Sequence, residues 1–565
     1  MQKKKKSTMS TTTPPDGLLL SGTTTSSPQG RSIIASRTFG PGERIATFSE
    51  PSIAIPDSPH LSTTCSGCLL PATATSSSVV RECTGCRTVA YCSPACQKLD
   101  WTVGGHKAEC KVLKRVRDED KGGVLPTPVR ALVKVLINKP GLVDGLEGHV
   151  DLFRGGGGGG KGKVWEDMEL QAMAGVYYMG KEKSARVVME AVEVLCKLQV
   201  NSFNRLDEDV DQTGLFLNPV LAMVNHSCVP NAFVQFVGRT AVLHAFQEIK
   251  EGEEIRISYI DCNTPLSTRQ QALKTQYHFT CSCPRCSEDL DVYQVSRRYP
   301  HLDLNNLSLA PEIQLPITGM NPLDKGVRST AEETYSWCSK PIPLIRNNDD
   351  KQTQLCQRWK AIKPLRDSKV PAYAIEPMPS ILTEASIYFA ERDEFAFSLV
   401  IACFLATKVD CFKFPAPFAP HRVKGLLMIA KLLANVAADS TITNTTSTST
   451  TSTKNTKGKE KTKEKIIQIL RETDHPTICQ VLLELVVRYA YSKDEWKVAR
   501  EAKDLLDDLE EILPGREKSD MLVIAFLRNP DGKEERRFFE MAVLKIVRDL
   551  AGLLGEVMDG EFGGL

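Results

Sequence analysis

The chain is 565 residues long, enough for about two to four domains, and 41% of it is hydrophobic. Its 71 basic side chains nearly cancel its 69 acidic ones, which excludes the global positive field that draws a protein onto nucleic acid. Its 18 cysteines, with no export pattern ahead of them, point to a reducing intracellular setting, nucleus and/or cytoplasm, where metal sites are commoner than disulfides.

Residues 1–27 are poor in hydrophobics and rich in Ser, Thr and Pro, so a disordered tail is expected. Lys3 to Lys6 lead into that polar sequence and not into an apolar stretch, which argues against a secretory signal; solvated charge is favoured over a nuclear-import signal. Gly17-Leu-Leu-Leu-Ser21 is too short to cross a bilayer, and no apolar run is seen to approach the roughly 18 residues required, so no membrane association is expected. From Gln29 onward, Ser32–Ala35 and Arg44–Phe48 read as strands, with Gly40-Pro41-Gly42 turning the chain between them.

Between Cys65 and Cys110 stand eight metal-ligand side chains in close pairs: Cys65 and Cys68, Cys83 and Cys86, Cys92 and Cys96, His106 and Cys110. Four such pairs are what two tetrahedral zinc ions need, and a segment this short has little apolar material for a core, so metal would supply most of its folding free energy. Spacing alone leaves open which pairs share an ion. Trp101 reads as packing within this block. Lys107, Lys111, Lys114, Arg115 and Arg117 read as a solvated helix face in preference to a nucleic-acid contact.

Residues 111–200 read as mainly helical, with apolar residues at three- and four-residue spacing over Val124–Leu136 and Ser184–Leu198. The glycine run from Gly155 to Gly160 reads as a surface loop, because Gly160-Lys161-Gly162 lacks the Ser/Thr of a phosphate-binding loop. Strands return at Ala232–Val237, Thr240–Ala245 and Glu254–Tyr259. Beyond residue 300, helices are expected over Ile381–Phe389, Phe395–Lys408, His421–Val436, Thr477–Tyr491, Trp496–Ile512 and Phe538–Leu553, with a disordered loop over Thr441–Lys465. Paired helices hint at a tetratricopeptide-like array, although no clean repeat is visible. Cys196, Cys403 and Cys479 read as core residues, and His60, His149, His244 and His301 as surface or satisfied core histidines.

Three pieces of sequence carry reactive chemistry: Asn225-His226-Ser227-Cys228-Val229-Pro230-Asn231, then Gly252-Glu253-Glu254-Ile255-Arg256-Ile257-Ser258-Tyr259, then Tyr277-His278-Phe279-Thr280-Cys281-Ser282-Cys283-Pro284-Arg285-Cys286. Cys281, Cys283 and Cys286 are one thiolate short of a zinc set, and Cys228 is the natural fourth ligand.

The cysteine block resembles a MYND zinc finger, through Tyr91-Cys92-Ser93, Cys96-Gln97 and the Trp101 to Cys110 ending. That resemblance implies interleaved ions, Cys65, Cys68, Cys92 and Cys96 on one and Cys83, Cys86, His106 and Cys110 on the other. The three later pieces, in their order and spacing, resemble the SET-domain protein lysine methyltransferases, and the whole looks like the SET-and-MYND (SMYD-type) subfamily. The motifs cover about residues 29–290; the helical remainder matches the subfamily only in character. The implied architecture is α+β: a tail (1–27), a mostly β SET core in two parts (28–64 and 201–262), the finger (65–110), a helical insertion (111–200), a post-SET zinc segment (263–300) and a helical, tetratricopeptide-like C-terminal domain (301–565).

The resemblance also implies an S-adenosylmethionine-dependent protein-lysine N-methyltransferase. In that family's pattern Gly30, Arg31, Asn201, Asn225, His226 and Phe279 contact the cofactor, Phe203 lines the lysine channel, and Tyr259 is the key catalytic side chain, also beside the cofactor. Ser32 stands where the family has the second glycine of its cofactor turn, which keeps alive a competing expectation: a SET-fold interaction protein with weak or no activity. The implied partners are a lysine-bearing protein or peptide, histone or not, and proteins recruited by the finger; a monomer is expected.

Overall fold

The computed structural model describes residues 14–21, 31–72, 79–120, 122–138, 140–155, 162–206, 212–298, 305–311, 325–339, 348–367, 372–443, 454–490, 496–512, 515 and 517–563. It divides into two compact units, one holding the chain to Ile260 together with Gln270–Cys281, the other holding Asp261–Arg269 and everything from Ser282 onward.

The first unit contains all the strands: β1 (Leu18–Ser21), β2 (Ser32–Ala35), β3 (Arg44–Phe48), β4 (Ile53–Pro56), β5 (Arg81–Glu82), β6 (Ala90–Tyr91), β7 (Phe203–Leu206), β8 (Gln212–Leu217), β9 (Asn225–His226), β10 (Ala232–Val237), β11 (Thr240–Ala245) and β12 (Arg256–Ile257). They form small sheets: β1 with β2, β10-β11-β3, β4-β8-β7, β5 with β6, and β9 with β12. Among the described strands the pairings are antiparallel except β9 with β12, which run parallel. The inward faces of β2, β3, β10 and β11 share one core that includes Ile33, Phe39, Phe48, Phe216, Phe236, Leu243 and Ile257, with Phe203 and Tyr259 packed at its margin.

Between β4 and β7 the chain leaves the sheets to build two further cores. One belongs to the insertion helices Thr127–Asn138, Val150–Gly155, Lys163–Tyr178 and Ala185–Asn201, around Trp165, Leu132 and Leu195. The other gathers the finger cysteines with Leu113, Val116, Val129 and Val133. Arg205, only 2% exposed, ties finger to sheet by donating to the Leu69 carbonyl (2.7 Å), the Gly238 carbonyl (3.0 Å) and the Thr213 hydroxyl (2.8 Å).

The second unit is helical. Neighbouring helices pack in succession: Met378–Ala390 on Phe395–Lys408, that on Pro420–Thr443, and that in turn on His475–Tyr489, which meets Lys497–Ile512. The last helix, Leu554–Phe562, folds back onto Asn348–Ala361 and Lys454–Arg471.

Three sequence expectations are corrected. Part of the tail is ordered, because Leu18 is buried and β1 pairs with β2 from Leu18↔Ala35 to Ser21↔Ser32; a composition average over the tail hides this short apolar run. The loop expected over Thr441–Lys465 is helical from Lys454, while residues 444–453 lie outside the described ones, as do most of the glycine run and the start of the tail. The lysines and glutamates masked an apolar stripe: Thr462, Ile466 and Leu470, one turn apart, are all buried. Finally, the 19-residue span Phe395–Lys413 contains an 18-residue window of mean hydropathy 1.8, long and apolar enough by composition to cross a membrane, yet 67% of that window is buried within the protein.

Ile466→Ala should lower the stability of the helical unit by about 2–5 kcal/mol, the usual range for emptying a packed aliphatic site. Denaturant unfolding of the full chain measures it; an unchanged midpoint would mean that Lys454–Arg471 is not packed.

Candidate metal centres and active site

The finger is assembled from two tight knuckles and two helices. In the first knuckle a Cβ at Gly67 would meet Cys96 Cβ at 2.6 Å, and in the second a Cβ at Gly85 would meet Cys110 Sγ at 2.8 Å. Only glycine lets these turns close against the partner ligands. Ser93 caps the helix Pro94–Thr102 by accepting from the Cys96 amide (3.2 Å), which fixes Cys96 in its first turn. His106 opens the helix His106–Glu119, placing Cys110 one turn later on the same face.

The ligand atoms of Cys65, Cys68, Cys92 and Cys96 lie within 4.8 Å of one another, and so do those of Cys83, Cys86, His106 and Cys110. These are the two interleaved sets that the finger resemblance implies. Bonds of about 2.3 Å from zinc to sulfur put tetrahedral ligand atoms about 3.8 Å apart. The sulfurs of Cys68 and Cys92 are 3.8 Å apart, those of Cys92 and Cys96 3.5 Å, those of Cys83 and Cys110 3.8 Å, and His106 Nε2 is 3.4 Å from Cys83. Three or four sulfurs so close cannot all carry charge unaided. Hydrogen bonding from Cys68 brings Cys65 down to about 5, while burial pushes Cys92 up to about 11 and Cys110 up to about 12. A divalent cation is the charge that would hold each full set as thiolates.

The second set has a buried outer layer. With Nε2 facing the thiols, His106 presents Nδ1 to Glu109 at 2.9 Å. Glu109, fully buried, also meets Arg130 Nε at 2.8 Å and Lys134 Nζ at 3.2 Å, so its carboxyl is held well below the usual range despite burial. Lys134 further faces Asp100 at 3.7 Å, which accepts from the Tyr91 hydroxyl at 2.8 Å. A histidine ligand oriented by a carboxylate is the arrangement that fixes ring direction at zinc centres.

The third thiol group divides between the units. Cys228 and Cys281 belong to the first, their sulfurs within 4.8 Å of each other; Cys283 and Cys286 belong to the second, likewise within 4.8 Å of each other. Gln270 grips Cys281 by both backbone groups, at 2.8 and 2.9 Å.

The other sequence-predicted residues converge around His226. The parallel pairing of β9 with β12 sets Asn225 opposite Arg256 and His226 opposite Ile257. His226 Nδ1 accepts from the Tyr259 amide (3.0 Å), which leaves the ring proton on Nε2, 3.3 Å from Cys228 Sγ. Around the imidazole lie the Tyr259 ring, 5.2 Å away, and the Phe279 ring, 5.9 Å away. The Tyr259 hydroxyl donates to the Val224 carbonyl at 2.7 Å, and its ring meets Tyr277 at 4.8 Å. Burial raises both phenols, Tyr277 up to about 12 and Tyr259 further still with the help of Tyr277 and Glu254, so at neutral pH each is an uncharged hydroxyl.

Arg31 and Asn201 both reach one loop, donating to the Gly145 carbonyl (2.8 Å) and the Glu147 carbonyl (2.8 Å). Phe203 lies in β7 at the margin of the sheet core. Gly30 lies outside the described residues. Ser32 starts β2 opposite Ser21 in extended backbone, not in the left-handed region, so no glycine is demanded there. The sequence reading gave no role to Tyr277, to Glu254 or to the loop at Gly145–His149. The first two stood inside the quoted motifs; nothing local marked the third.

Among known proteins, the SET domain family matches residues 30–260. The chain is 34% identical to the SET domain and MYND-type zinc finger protein 6 of Schizosaccharomyces pombe over 236 residues, 41% of this chain and 45% of that protein. It is 31% identical to the histone-lysine N-methyltransferase ASHR1 of Arabidopsis thaliana, over 46% of this chain and 53% of that one. With the human N-lysine methyltransferase SMYD2 it shares 31% identity over 38% of this chain and 50% of that one. The chain thus spans about half the length of the curated relatives it matches.

Glu109→Gln should weaken zinc retention at the Cys83, Cys86, His106, Cys110 set by about 10–100-fold, the usual cost of removing a carboxylate behind a ligating histidine. Competition with a chromogenic chelator reads it as faster loss of one zinc per chain, and equal release from both proteins would refute the assignment.

Proposed function

Residues 30–260 are a SET domain related to those of the SET-and-MYND proteins, and from that premise we propose that the chain transfers the methyl group of S-adenosylmethionine to the side-chain amine of a protein lysine. The observation that carries this is the convergence of Asn225, Tyr259 and Phe279 on His226, in a setting that keeps the Tyr259 phenol neutral. The donor, when bound, supplies an electrophilic methyl on a sulfonium sulfur.

The chain's own residues have three tasks. Asn225 and His226, with Arg31 and Asn201, would hold the donor's polar end, and Phe279 would pack on its adenine; the family's pattern adds Gly30, outside the described residues. Phe203 and Tyr259 line the path of the lysine. That amine arrives mostly as ammonium, with a reference pKa of about 10.4, and an apolar aromatic path favours the neutral form that can attack. Transfer then breaks the carbon–sulfur bond and forms the carbon–nitrogen bond in line, which rewards alignment. Tyr259, fixed by its bond to Val224, presents a hydroxyl dipole to the reacting groups as the sulfonium charge is discharged. A phenol so far above neutrality is a poor general base, so the proton leaves by another route.

Zinc completes the reading. Two ions would sit in the finger, and Cys228, Cys281, Cys283 and Cys286 would supply the thiolates for a third. Cysteines grouped as metal ligands fit a reducing compartment, nucleus and/or cytoplasm. The finger recruits protein partners, and the substrate is a lysine-bearing protein, histone or otherwise.

The test is transfer of radiolabelled methyl onto core histones and a whole-cell lysate. Wild type should label lysine, and Tyr259→Phe should lower the rate by about 10²–10³-fold, the scale set by losing one well-placed dipole, with cofactor affinity kept. Metal analysis should return about three zincs per chain. A folded, zinc-loaded wild type that labels nothing would overturn the enzyme reading in favour of an interaction protein.

A further inference from the structure

Glu254 sits just ahead of the parallel pairing of β9 with β12, and both of its carboxylate oxygens are engaged. Oε1 accepts from Asn225 Nδ2 at 2.8 Å. Oε2 accepts from Arg256 Nε at 2.8 Å and Nη2 at 2.6 Å. The backbone around it is pinned as well: Asn231 Nδ2 donates to the Glu254 carbonyl (2.9 Å), and Asn231 Oδ1 accepts from the Arg256 amide (2.8 Å). Its side chain is 16% exposed, whereas that of Arg256 is 45% exposed and screens it from water.

The chemistry of this arrangement fixes which way the Asn225 carboxamide points. Its nitrogen faces Glu254 Oε1 and, at 3.3 Å, the Arg31 carbonyl. Both neighbours can only accept, so a flipped amide would set oxygen against two oxygens and lose two hydrogen bonds. The amide oxygen must therefore face the opposite way, and it accepts from none of the described residues.

We propose that Glu254, locked by Arg256, is a positioning residue that holds Asn225 with its amide oxygen turned out as the acceptor for the cofactor's α-ammonium group. This rests on the methyltransferase reading above and adds to it the device that sets donor recognition at the amino-acid end. Glu254 touches no reacting atom; it acts through Asn225.

The experiment is calorimetric titration of the zinc-loaded full chain with S-adenosylhomocysteine, which carries the α-amine, and with 5′-methylthioadenosine, which lacks the whole amino-acid end. Glu254→Ala should weaken S-adenosylhomocysteine at least tenfold and leave methylthioadenosine within twofold. Glu254→Gln, which retains an acceptor oxygen for Asn225, should recover part of the loss. Arg256→Ala should show a smaller loss with the same selectivity, and these two variants carry the test should Glu254→Ala fail to fold. Equal weakening of both ligands, or of neither, would overturn the proposal and leave Glu254 a fold residue. If wild type binds neither ligand, the methyltransferase reading itself falls, a result that no variant can imitate.

Discussion

The parallel contact between β9 and β12 is the constraint on which the site depends. It is only two rungs long, Asn225 with Arg256 and His226 with Ile257, and too short to be stable as a sheet. It persists because its flanks are tied: the Ser227 amide donates to the Ile257 carbonyl (2.9 Å), the Asn231 amide donates to the Arg256 carbonyl (3.1 Å), and the Tyr259 hydroxyl reaches back to Val224. Ile257 and Val224 anchor the crossing in the sheet core. The adjacent asparagine and imidazole of β9 are thereby placed beside a tyrosine from a later segment, which the imidazole holds through its backbone amide. That is the preorganisation a displacement reaction needs.

The finger is held in place by buried charge, which is unusual enough to need its own account. Glu109, Arg130, Lys134 and Asp100 are all nearly or fully buried, and burying a lone ion is costly. Here no member is alone. Glu109 answers two cations and a histidine, and Lys134 bridges two carboxylates. Arg130 and Lys134 come from the insertion helix Thr127–Asn138, whose Val129 and Val133 enter the same apolar cluster as the finger's cysteines. The insertion therefore finishes the finger, supplying both its missing core and the ions that orient His106.

Legibility in the sequence followed the range of the signal. β2 was readable because it buries alternate residues and β3 because it nearly does, β10 and β11 because two apolar runs flank the turn at Gly238, and the metal sets because ligand spacing survives any packing. β8 was missed: its Gly214 looks like a break, yet it is where β4 crosses so closely that a Cβ would sit 2.2 Å from the Ile55 carbonyl. β4 was missed because all four residues are buried, which leaves no alternation to see. β12 covers only the centre of the expected Glu254–Tyr259 strand, its neighbours being spent on side-chain bonds. Glu109 was invisible because a charged residue on a helix reads as a solvated one, as its exposed neighbours Lys107 and Lys111 in fact are. The pattern identified families of residues; the roles of single charges depended on contacts across tens of residues.

The placement of finger and insertion between β4 and β7 also bears on how the molecule comes to be folded. Ile53 must pair with Leu217, and everything between them has to be gathered in before that ladder can close. Entropy of closure grows slowly with length, about 0.6 kcal/mol per doubling, but contacts this distant are late and slow to form. A finger that condenses on its ions, and helices that condense on the finger through Arg130 and Lys134, would shorten that excursion to a compact knob with its ends brought near each other. Metal supply would then act during synthesis. Scarcity would leave nascent chains with unmatched strand edges, exposed to aggregation, before any site existed to be idle.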